Sequence, residues 1–292
     1  MNPTTAYTLH LADTNLIMSQ RLSEWCAHGP ILEQDIAITN ITLDLIGQSR
    51  NFYQYAATLI NNSDSSDMHL APSRLERASP DSSGAGGEVS TNNNYRHLSP
   101  LATPWRGAGG EVSEDSLAYL RTEREFKNFL LAELPNGDWA QTITKLFFSS
   151  VYQYLLYEQL QSNSDEQLAA IATKSLKEIT YHVKWSSDWV IRLGDGTDES
   201  HERMVKAVNY LWMYTGEMFE ESHFEKSAGI DKTSLKTKWN EKVTDVFNEA
   251  TLDVPAGGFM QSGGVEGIHT EHLGFLLTEL QYLQRTYPGA EW

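Results

Sequence analysis

Apolar residues recur every three or four positions over long stretches of this chain, and proline rarely interrupts them. No proline lies between Pro30 and Pro72 or between Pro135 and Pro255. Because proline breaks a helix interior, and because this apolar period places the side chains on one helical face, these stretches predict helices. The predicted helices cover about 4–28, 31–60, 117–132, 138–163, 165–192, 198–226, 232–251 and 268–286.

Residues typical of turns and helix caps separate these stretches. Gly29-Pro30 and Pro135-Asn136-Gly137 interrupt the apolar period, and Asp138 and Asp165 stand where N-cap residues belong. No run alternates between polar and apolar residues in the way that a strand requires. The sequence therefore predicts an all-α fold.

The segment from about 61 to 116 has a different composition. It contains four of the nine prolines and many serine, glycine and asparagine residues. It also contains the sequence Gly-Ala-Gly-Gly-Glu-Val-Ser twice, at Gly84–Ser90 and Gly107–Ser113. Such a composition buries too little apolar surface to order itself, so we expect a disordered insertion within a single domain spanning residues 1–292. The alternative is a functional lid.

Composition and charge narrow the function. The formal net charge is −17, which disfavours binding to the phosphate backbone of nucleic acid. No apolar run approaches the roughly 18 residues that a membrane span needs, and the N-terminus lacks the pattern of a signal peptide. The single cysteine, Cys26, allows no internal disulfide. These features favour a cytoplasmic protein that binds neither nucleic acid nor a membrane.

The candidate chemistry is that of a di-iron carboxylate bundle. Such bundles place one glutamate on each of two helices and a Glu-x-x-His pair on each of the other two. Here the apolar stripes of the predicted helices continue into Glu24, Glu158 and His182, with Glu178 one turn before the histidine. Neither Glu-x-x-His pair is present. Buried hydrogen bonds, including one between Glu178 and His182, are therefore favoured over metal ligation.

Other candidate sites are weaker still. The cluster His269-Thr270-Glu271-His272 begins a predicted helix, where polar side chains commonly cap the first turn. Neither a Gly-x-Ser-x-Gly nucleophile elbow nor a phosphate-binding Walker loop occurs in the sequence. The residues alone thus predict no catalytic or cofactor-binding set.

A set of ordered motifs resembles the C-subunit family of ring 1,2-phenylacetyl-CoA epoxidase, a multicomponent monooxygenase of aerobic phenylacetate degradation. The likeness covers nearly the whole chain except about 61–116. The motifs that carry it are Leu22–His28, Leu43–Phe52, Leu134–Asp138, Lys177–His182, Arg192–Asp198, His269–Gly274 and Gln281–Arg285.

The resemblance implies a ferritin-like bundle that has lost the di-iron site of the related catalytic A subunit. It aligns Leu45 and Gln48 with the first Glu-x-x-His pair of that subunit, and Ile179 and His182 with the second. Glu24 corresponds to the first-helix glutamate. An aliphatic side chain gives iron no donor atom, so we expect a degenerate pseudo-site and no cofactor bound by this chain.

The resemblance further implies a structural, non-catalytic role. The chain would pair with the A subunit, which carries the di-iron centre, and would meet the B and reductase subunits in the full complex. Two alternatives stay open. One is an active di-iron oxygenase whose ligands are Glu24, Glu158, Glu178 and His182, and the other is an acidic helical scaffold unrelated to oxygenases.

Overall fold

The fold is built from helices, as the apolar period predicts. The computed structural model describes residues 2–70, 111–288 and 290, and within them it contains eleven α-helices and no strand. The helices are α1 Pro3–Ser23, α2 Leu32–Leu70, α3 Glu114–Tyr119, α4 Leu130–Glu133, α5 Trp139–Leu160, α6 Glu166–Gly194, α7 Asp198–Trp212, α8 His223–Ser227, α9 Lys232–Glu249, α10 Glu271–Leu280 and α11 Tyr282–Thr286. The all-α prediction is confirmed.

Four long helices form the central bundle. Helix α1 packs along α2, α5 packs along α6, and α2 lies beside α6. Contacts with α6 move backward along its sequence as they move forward along α2, from Asp44 with His182 to Tyr55 with Asp165. The two helices are therefore antiparallel, and this four-helix centre is the architecture expected of a ferritin-like bundle.

The remaining helices cover this bundle. Helices α4 and α8 pack on α1, and α7 and α9 pack on α5, so α1 is buried along most of its length. Of the residues described, no helix combines the length and the apolar character needed to cross a bilayer.

Helices α5 and α6 begin and end close to their predicted positions. The side chains of Asp138 and Asp165 cap α5 and α6 by accepting hydrogen bonds from Gln141 N and Leu168 N. Such caps satisfy backbone donors that a helix N-terminus leaves unpaired. The local sequence therefore specified these boundaries correctly.

The predicted helix over about 117–132 is wrong. The chain instead forms α3, a 3₁₀ turn at Glu123–Glu125 and the single turn α4. Arg121 lies fully buried after α3, where its guanidinium contacts Asp13 of α1 and donates to the carbonyl oxygen of Glu125. Contacts with a distant helix thus replace the continuous helical ladder.

The predicted helix over about 198–226 is also interrupted. Helix α7 ends at Trp212, and a 3₁₀ turn at Gly216–Phe219 precedes α8. The buried Glu217 carboxylate accepts hydrogen bonds from the backbone N–H groups of Leu130, Gly263 and Val265. These bonds join three segments that the local sequence does not link.

The C-terminal helix is likewise divided in two. Helix α10 ends at Leu280 and α11 begins at Tyr282. Between them lies Gln281, whose side-chain amide donates to the carbonyl oxygens of Ala118 and Arg121. The residue at the break therefore ties the C-terminal segment to the end of α3.

Both ends of the segment predicted as an insertion, about 61–116, are described by the structure. Helix α2 continues to Leu70, and Ser113 caps α3 at the other end. The Asn61 side chain pairs with both the N–H and the carbonyl oxygen of Val112, at 2.9 Å in each case. Residues 71–110, on which most of the predicted disorder falls, lie outside the described residues.

Candidate functional site in the bundle centre

The structure divides the predicted pseudo-site into two groups. Four of its positions are buried, namely Leu45 and Gln48 on α2 and Ile179 and His182 on α6. Glu24 and Glu158 are exposed at the surface. The structure thus brings the four positions on α2 and α6 into the core and leaves the two glutamates outside it.

Glu24 lies beyond the end of α1. Its carboxylate pairs with Arg21 at 2.7 Å and accepts a hydrogen bond from the Asn136 side chain at 3.0 Å, and 48% of its side chain remains exposed. The predicted helix over about 4–28 would have turned this residue inward. Because α1 stops at Ser23, the side chain faces the loop before α5 instead.

Glu158 is exposed for a different reason. The apolar stripe of α5 continues into Tyr157, which is buried, and leaves Glu158 outside. There, a hydrogen bond to Glu158 raises the pKa of Tyr154. Periodicity alone could not distinguish these neighbours, since a stripe can advance by three or by four residues.

A chain of hydrogen bonds occupies the centre of the bundle. Gln153 donates to the side-chain oxygen of Asn15 at 2.6 Å, and Asn15 donates to the Tyr157 hydroxyl at 3.1 Å. That hydroxyl donates to the Gln48 side-chain oxygen at 3.3 Å, and Gln48 donates to the Glu178 carboxylate at 2.8 Å. We call these five residues the amide chain. All four bundle helices contribute to it.

The amide chain is electrically neutral until its last member. Burial raises the pKa of Tyr157 above its ordinary value, which keeps the phenol protonated as a donor. Asn15 and Gln48 each use a side-chain oxygen and a side-chain N–H in the chain. Buried polar groups that are bonded in this way fix the register of helices at little net cost.

A second contact between α2 and α6 lies one turn away. The His182 Nε2 atom is 2.9 Å from the Asp44 carboxylate, while Glu178 bonds Gln48. The predicted bond between Glu178 and His182 is therefore replaced by two bonds across the helix pair. Each α6 side chain reaches α2 rather than its own neighbour.

These residues do not fit a di-iron centre. The buried Leu45 and Ile179 side chains are aliphatic and offer no donor atom, and Gln48 uses its amide within the protein. Across residues 2–70 and 111–288, no group of three or more His, Cys, Asp or Glu side chains is arranged to hold a metal ion. Iron in such bundles is held by several carboxylates and imidazoles.

Charged side chains are buried at the flank of the bundle rather than at its centre. The Asp13 carboxylate on α1 receives the Arg121 guanidinium, the Tyr53 hydroxyl and the Lys127 backbone N–H. We call this group the Arg121 cluster. Although burial opposes its charge, Asp13 raises the pKa of Arg121 above the ordinary value.

A second buried charge pair joins α8 to α9. The Lys232 ammonium lies 2.6 Å from the Glu225 carboxylate and donates to the Tyr152 hydroxyl and the Met218 carbonyl oxygen, each at 2.7 Å. Burial lowers the pKa of the neighbouring His10, whose Nδ1 atom is 2.6 Å from the Lys127 carbonyl oxygen. These contacts attach the outer helices to α1 and α5.

The His269–His272 motif has the structural role predicted for it. Thr270 caps α10, and its backbone N–H donates to the buried Glu133 carboxylate at 2.6 Å. His269 contacts Glu133 and the Phe126 carbonyl oxygen, each at 3.0 Å. Although burial opposes protonation, the Glu133 carboxylate raises the pKa of His269. The motif anchors the C-terminal helices.

Comparison with known proteins agrees with this architecture. A family model described as phenylacetic acid catabolic protein matches residues 1–81 and 91–292. The C subunit of 1,2-phenylacetyl-CoA epoxidase from Escherichia coli (strain K12) is 40% identical over 297 residues, which cover 100% of both chains. The resemblance carried by the sequence motifs is thereby confirmed. The chain belongs to the phenylacetic acid catabolic protein family.

Proposed function

We propose that this chain is a structural, non-catalytic subunit of a multicomponent monooxygenase that epoxidises the ring of phenylacetyl-CoA in aerobic phenylacetate catabolism. The amide chain carries this proposal, because it occupies the part of the bundle where a di-iron enzyme needs carboxylates and imidazoles. The Escherichia coli relative, named as the C subunit of 1,2-phenylacetyl-CoA epoxidase, supplies the substrate and the complex.

In this proposal the catalytic A subunit holds the di-iron centre, which supplies the oxygen chemistry. This chain pairs with the A subunit and stabilises it, and the B and reductase subunits join the assembly in the cytoplasm. A core held by internal hydrogen bonds and aliphatic packing suits such a role, since a rigid bundle presents a constant surface to its partner.

The two alternatives have less support. An active di-iron enzyme using Glu24, Glu158, Glu178 and His182 would need two side chains that here lie exposed, away from the buried histidine. A scaffold unrelated to oxygenases conflicts with the family to which the chain belongs.

Co-expression tests the structural role. The A subunit from the same source would be produced with and without this chain, then compared by size-exclusion chromatography and by epoxidation of phenylacetyl-CoA. We expect a stable heteromer that is more soluble and more active than the A subunit alone. An A subunit that is fully stable and active without this chain would contradict the proposal.

Iron analysis tests the non-catalytic assignment. The chain would be purified alone, loaded with ferrous iron without oxygen and passed through a gel-filtration column, with the A subunit as the matched control. We expect iron to remain with the A subunit and to separate from this chain. Two irons retained per chain would favour the di-iron alternative.

A further inference from the structure

A groove lies between α5, α6 and α9, and no residue of the amide chain lines it. Its volume is about 550 Å³, within the range of roughly 300–1,000 Å³ that is usual for small-molecule sites. Apolar side chains from all three helices line it, including Leu155 of α5, Val183 and Ile191 of α6, and Val246 of α9. We call it the α5–α6–α9 groove. Such a lining suits the hydrophobic body of a ligand.

The two outer walls of the groove, α6 and α9, run in the same direction. Helix α9 is antiparallel to α5, with Lys232 beside Tyr152 and Phe247 beside Phe147. Helix α6 is also antiparallel to α5, because the two pack along each other after the short turn 161–165. Residues at the same distance from the C-terminal ends of α6 and α9 therefore lie at the same level of the groove.

Two lysines on these walls lie at nearly the same level. The C-terminal ends of α6 and α9 meet where the Thr251 hydroxyl donates to the Gly194 carbonyl oxygen at 3.3 Å. Counted back from this contact at 1.5 Å per residue, Lys184 lies about 15 Å along α6 and Lys242 about 14 Å along α9. Both line the groove, so their ammonium groups can meet the same group of a ligand.

Neither lysine is paired with a carboxylate in the described part of the chain. Lys206, for comparison, pairs with Glu202 at 2.8 Å. Lys184 and Lys242 are exposed, and no ion pair among the described residues includes either of them. In a chain of formal net charge −17, two unpaired cations beside one apolar groove indicate that the ligand carries a negative group there.

Two carboxylates also line the groove, but they do not share a level. Glu249 lies seven residues after Lys242, about 10 Å further along α9. Asp188 lies one turn after Lys184 on α6 and is exposed. A bound anion would therefore avoid Glu249, and it would compete with Asp188 for the two ammonium groups.

A buried hydroxyl is an independent sign of a ligand. Ser187 lines the groove and is 7% exposed, and its hydroxyl has no hydrogen-bond partner in the described part of the chain. The adjacent Ser186 donates to the His182 carbonyl oxygen at 2.7 Å, as helical serines commonly do. Because an unpaired buried hydroxyl costs free energy, a ligand oxygen beside Ser187 would supply the acceptor that the protein does not.

We infer that the α5–α6–α9 groove binds a small amphipathic monocarboxylate. The carboxylate lies between Lys184 and Lys242, and the hydrophobic body covers Leu155, Val183 and Val246. A ring and a short acyl chain share this chemistry, because each can place one terminal carboxylate beside an apolar body. The inference is independent of the proposed function, since the groove lies outside the bundle centre.

Calorimetric titration of the full chain tests the class of ligand. The probes are octanoate and 4-phenylbutyrate, at fixed ionic strength because salt screens exposed charges. We expect saturable binding of one molecule per chain, and the more tightly bound acid identifies the body as an acyl chain or a ring. Octanamide, which keeps the chain without the charge, should bind at least about fivefold more weakly than octanoate. Hexanoate should lose roughly threefold for each methylene removed.

Charge variants locate the carboxylate. Lys184→Met and Lys242→Met should each weaken octanoate binding about threefold and leave octanamide binding unchanged. Lys238→Met is the matched control, because Lys238 is exposed on α9 and does not line the groove. Asp188→Asn should tighten octanoate binding, because it removes the competing carboxylate. All four positions are exposed, so thermal unfolding of the free variants should match the wild type.

A larger side chain tests the apolar part of the groove. Val183→Trp fills it from the α6 side and should weaken binding of both acids at least about tenfold, with thermal unfolding close to that of the wild type. Thermal unfolding of the free variant separates a filled groove from a damaged fold, and the lysine variants test the site without touching the core.

The contrary outcomes are specific. If neither acid binds saturably, or if octanamide binds as tightly as octanoate, the proposal fails. Equal octanoate binding by the wild type and both lysine variants would place the acid elsewhere on the chain. A wild-type dimer that Val183→Trp dissociates in size-exclusion chromatography, with no acid bound, would assign the groove to a second copy.

Discussion

The centre of the bundle and its flank stabilise their buried polar groups in different ways, the centre with neutral hydrogen bonds and the flank with ion pairs. The amide chain in the centre links neutral donors and acceptors from all four bundle helices and reaches a carboxylate only at Glu178. The flank buries full charges, with Arg121 against Asp13 and Lys232 against Glu225. Both regions are almost fully buried, so burial alone does not explain the different chemistry of their side chains.

This difference shows what each region holds together. Charged groups attach irregular segments and short helices to α1, because a guanidinium or a carboxylate can satisfy several backbone groups at once. The four central helices already pair their backbone N–H and C=O groups within each helix. Their side chains only have to fix how the helices are positioned along one another. A neutral chain provides it without the large cost of taking charges out of water.

The largest expected effect comes from placing a charge in the neutral centre. In Leu45→Glu the new carboxyl would be buried without a cation, and keeping it protonated at pH 7 costs about 3.5 kcal/mol. Lost leucine packing should bring the total to about 5 kcal/mol. Urea unfolding at pH 7 would measure this loss, and at pH 5 roughly half of it should be recovered.

The exposed Leu43 is the matched control for this substitution. It lies two residues from Leu45 on the outer side of α2, so Leu43→Glu should change the free energy of unfolding by less than about 0.5 kcal/mol. Equal losses in the two variants would mean that the bundle centre tolerates charge as readily as the surface does.

The next effect comes from removing a charge at the flank. Arg121→Met would leave the buried Asp13 carboxylate without its cation, and breaking a buried pair in this way costs about 3–5 kcal/mol. Arg203→Met is the control, because the ion pairs of Arg203 with Asp138 and Glu199 are exposed and contribute little to stability. Chemical denaturation of both variants would measure the difference.

A double variant sharpens this result. Adding Asp13→Asn to Arg121→Met removes the unpaired charge, so part of the lost stability should return. If the double variant is less stable than Arg121→Met alone, the Asp13 charge is stabilised by its remaining donors, Tyr53 and Lys127, and the guanidinium is less important than we infer.

The sequence predicted the regular parts of this fold because their determinants are local. The apolar periods and the caps Asp138 and Asp165 specify α5 and α6 within a few positions. On α10 the buried residues Leu273, Leu276 and Leu277 follow a helical apolar spacing as well. Local signals of this kind need no knowledge of the rest of the chain.

The irregular parts depend on residues far away in the sequence. No residue near Arg121 in the sequence indicates that its side chain would contact Asp13. This contact lies where the sequence predicts a continuous helix over about 117–132. Lys145 is another example: it is fully buried, donates to the Leu134 carbonyl oxygen and the Asn136 side chain, and burial lowers its pKa to about 7. A helical pattern would place a lysine in solvent.

On α2 and α6 the motif resemblance specified the candidate positions directly, by aligning residues of both helices with the Glu-x-x-His pairs of the A subunit. On α1 and α5 the prediction chose Glu24 and Glu158, the carboxylates that a metal site would need. The structure uses Asn15, Gln153 and Tyr157 instead. The sequence signal for this hydrogen-bonded centre was a side-chain amide within an apolar stripe, as at Asn15 and Gln153. That signal could be interpreted only once the hydrogen-bond partners were known.

A third prediction concerns pH at the flank. Burial raises the pKa of Glu217 to about 7, so the folded state favours its protonated form. The resulting stabilisation is complete below its usual pKa of 4.5 and is lost as the pH rises through about 7. The shift corresponds to about 3 kcal/mol.

The matched variant for this group is Glu217→Gln, which cannot titrate. The difference in free energy of unfolding between wild type and variant should change by up to about 3 kcal/mol between pH 4.5 and pH 8, in favour of the wild type at the acidic end. A constant difference would mean that the backbone N–H groups around Glu217 keep its pKa near the ordinary value.

The smallest effect is expected from interrupting the amide chain without adding a charge. Gln48→Met keeps the volume but removes the acceptor for Tyr157 and the donor to Glu178. The cost should be only about 1–2 kcal/mol, since Glu178 is half-buried and water can replace the lost donor. Gln54→Met, at an exposed position on the same helix, should cost less than about 0.5 kcal/mol. Urea unfolding of both variants would test this, and a loss for Gln48→Met as large as that of Arg121→Met would show that the neutral chain holds the bundle as strongly as the buried charges.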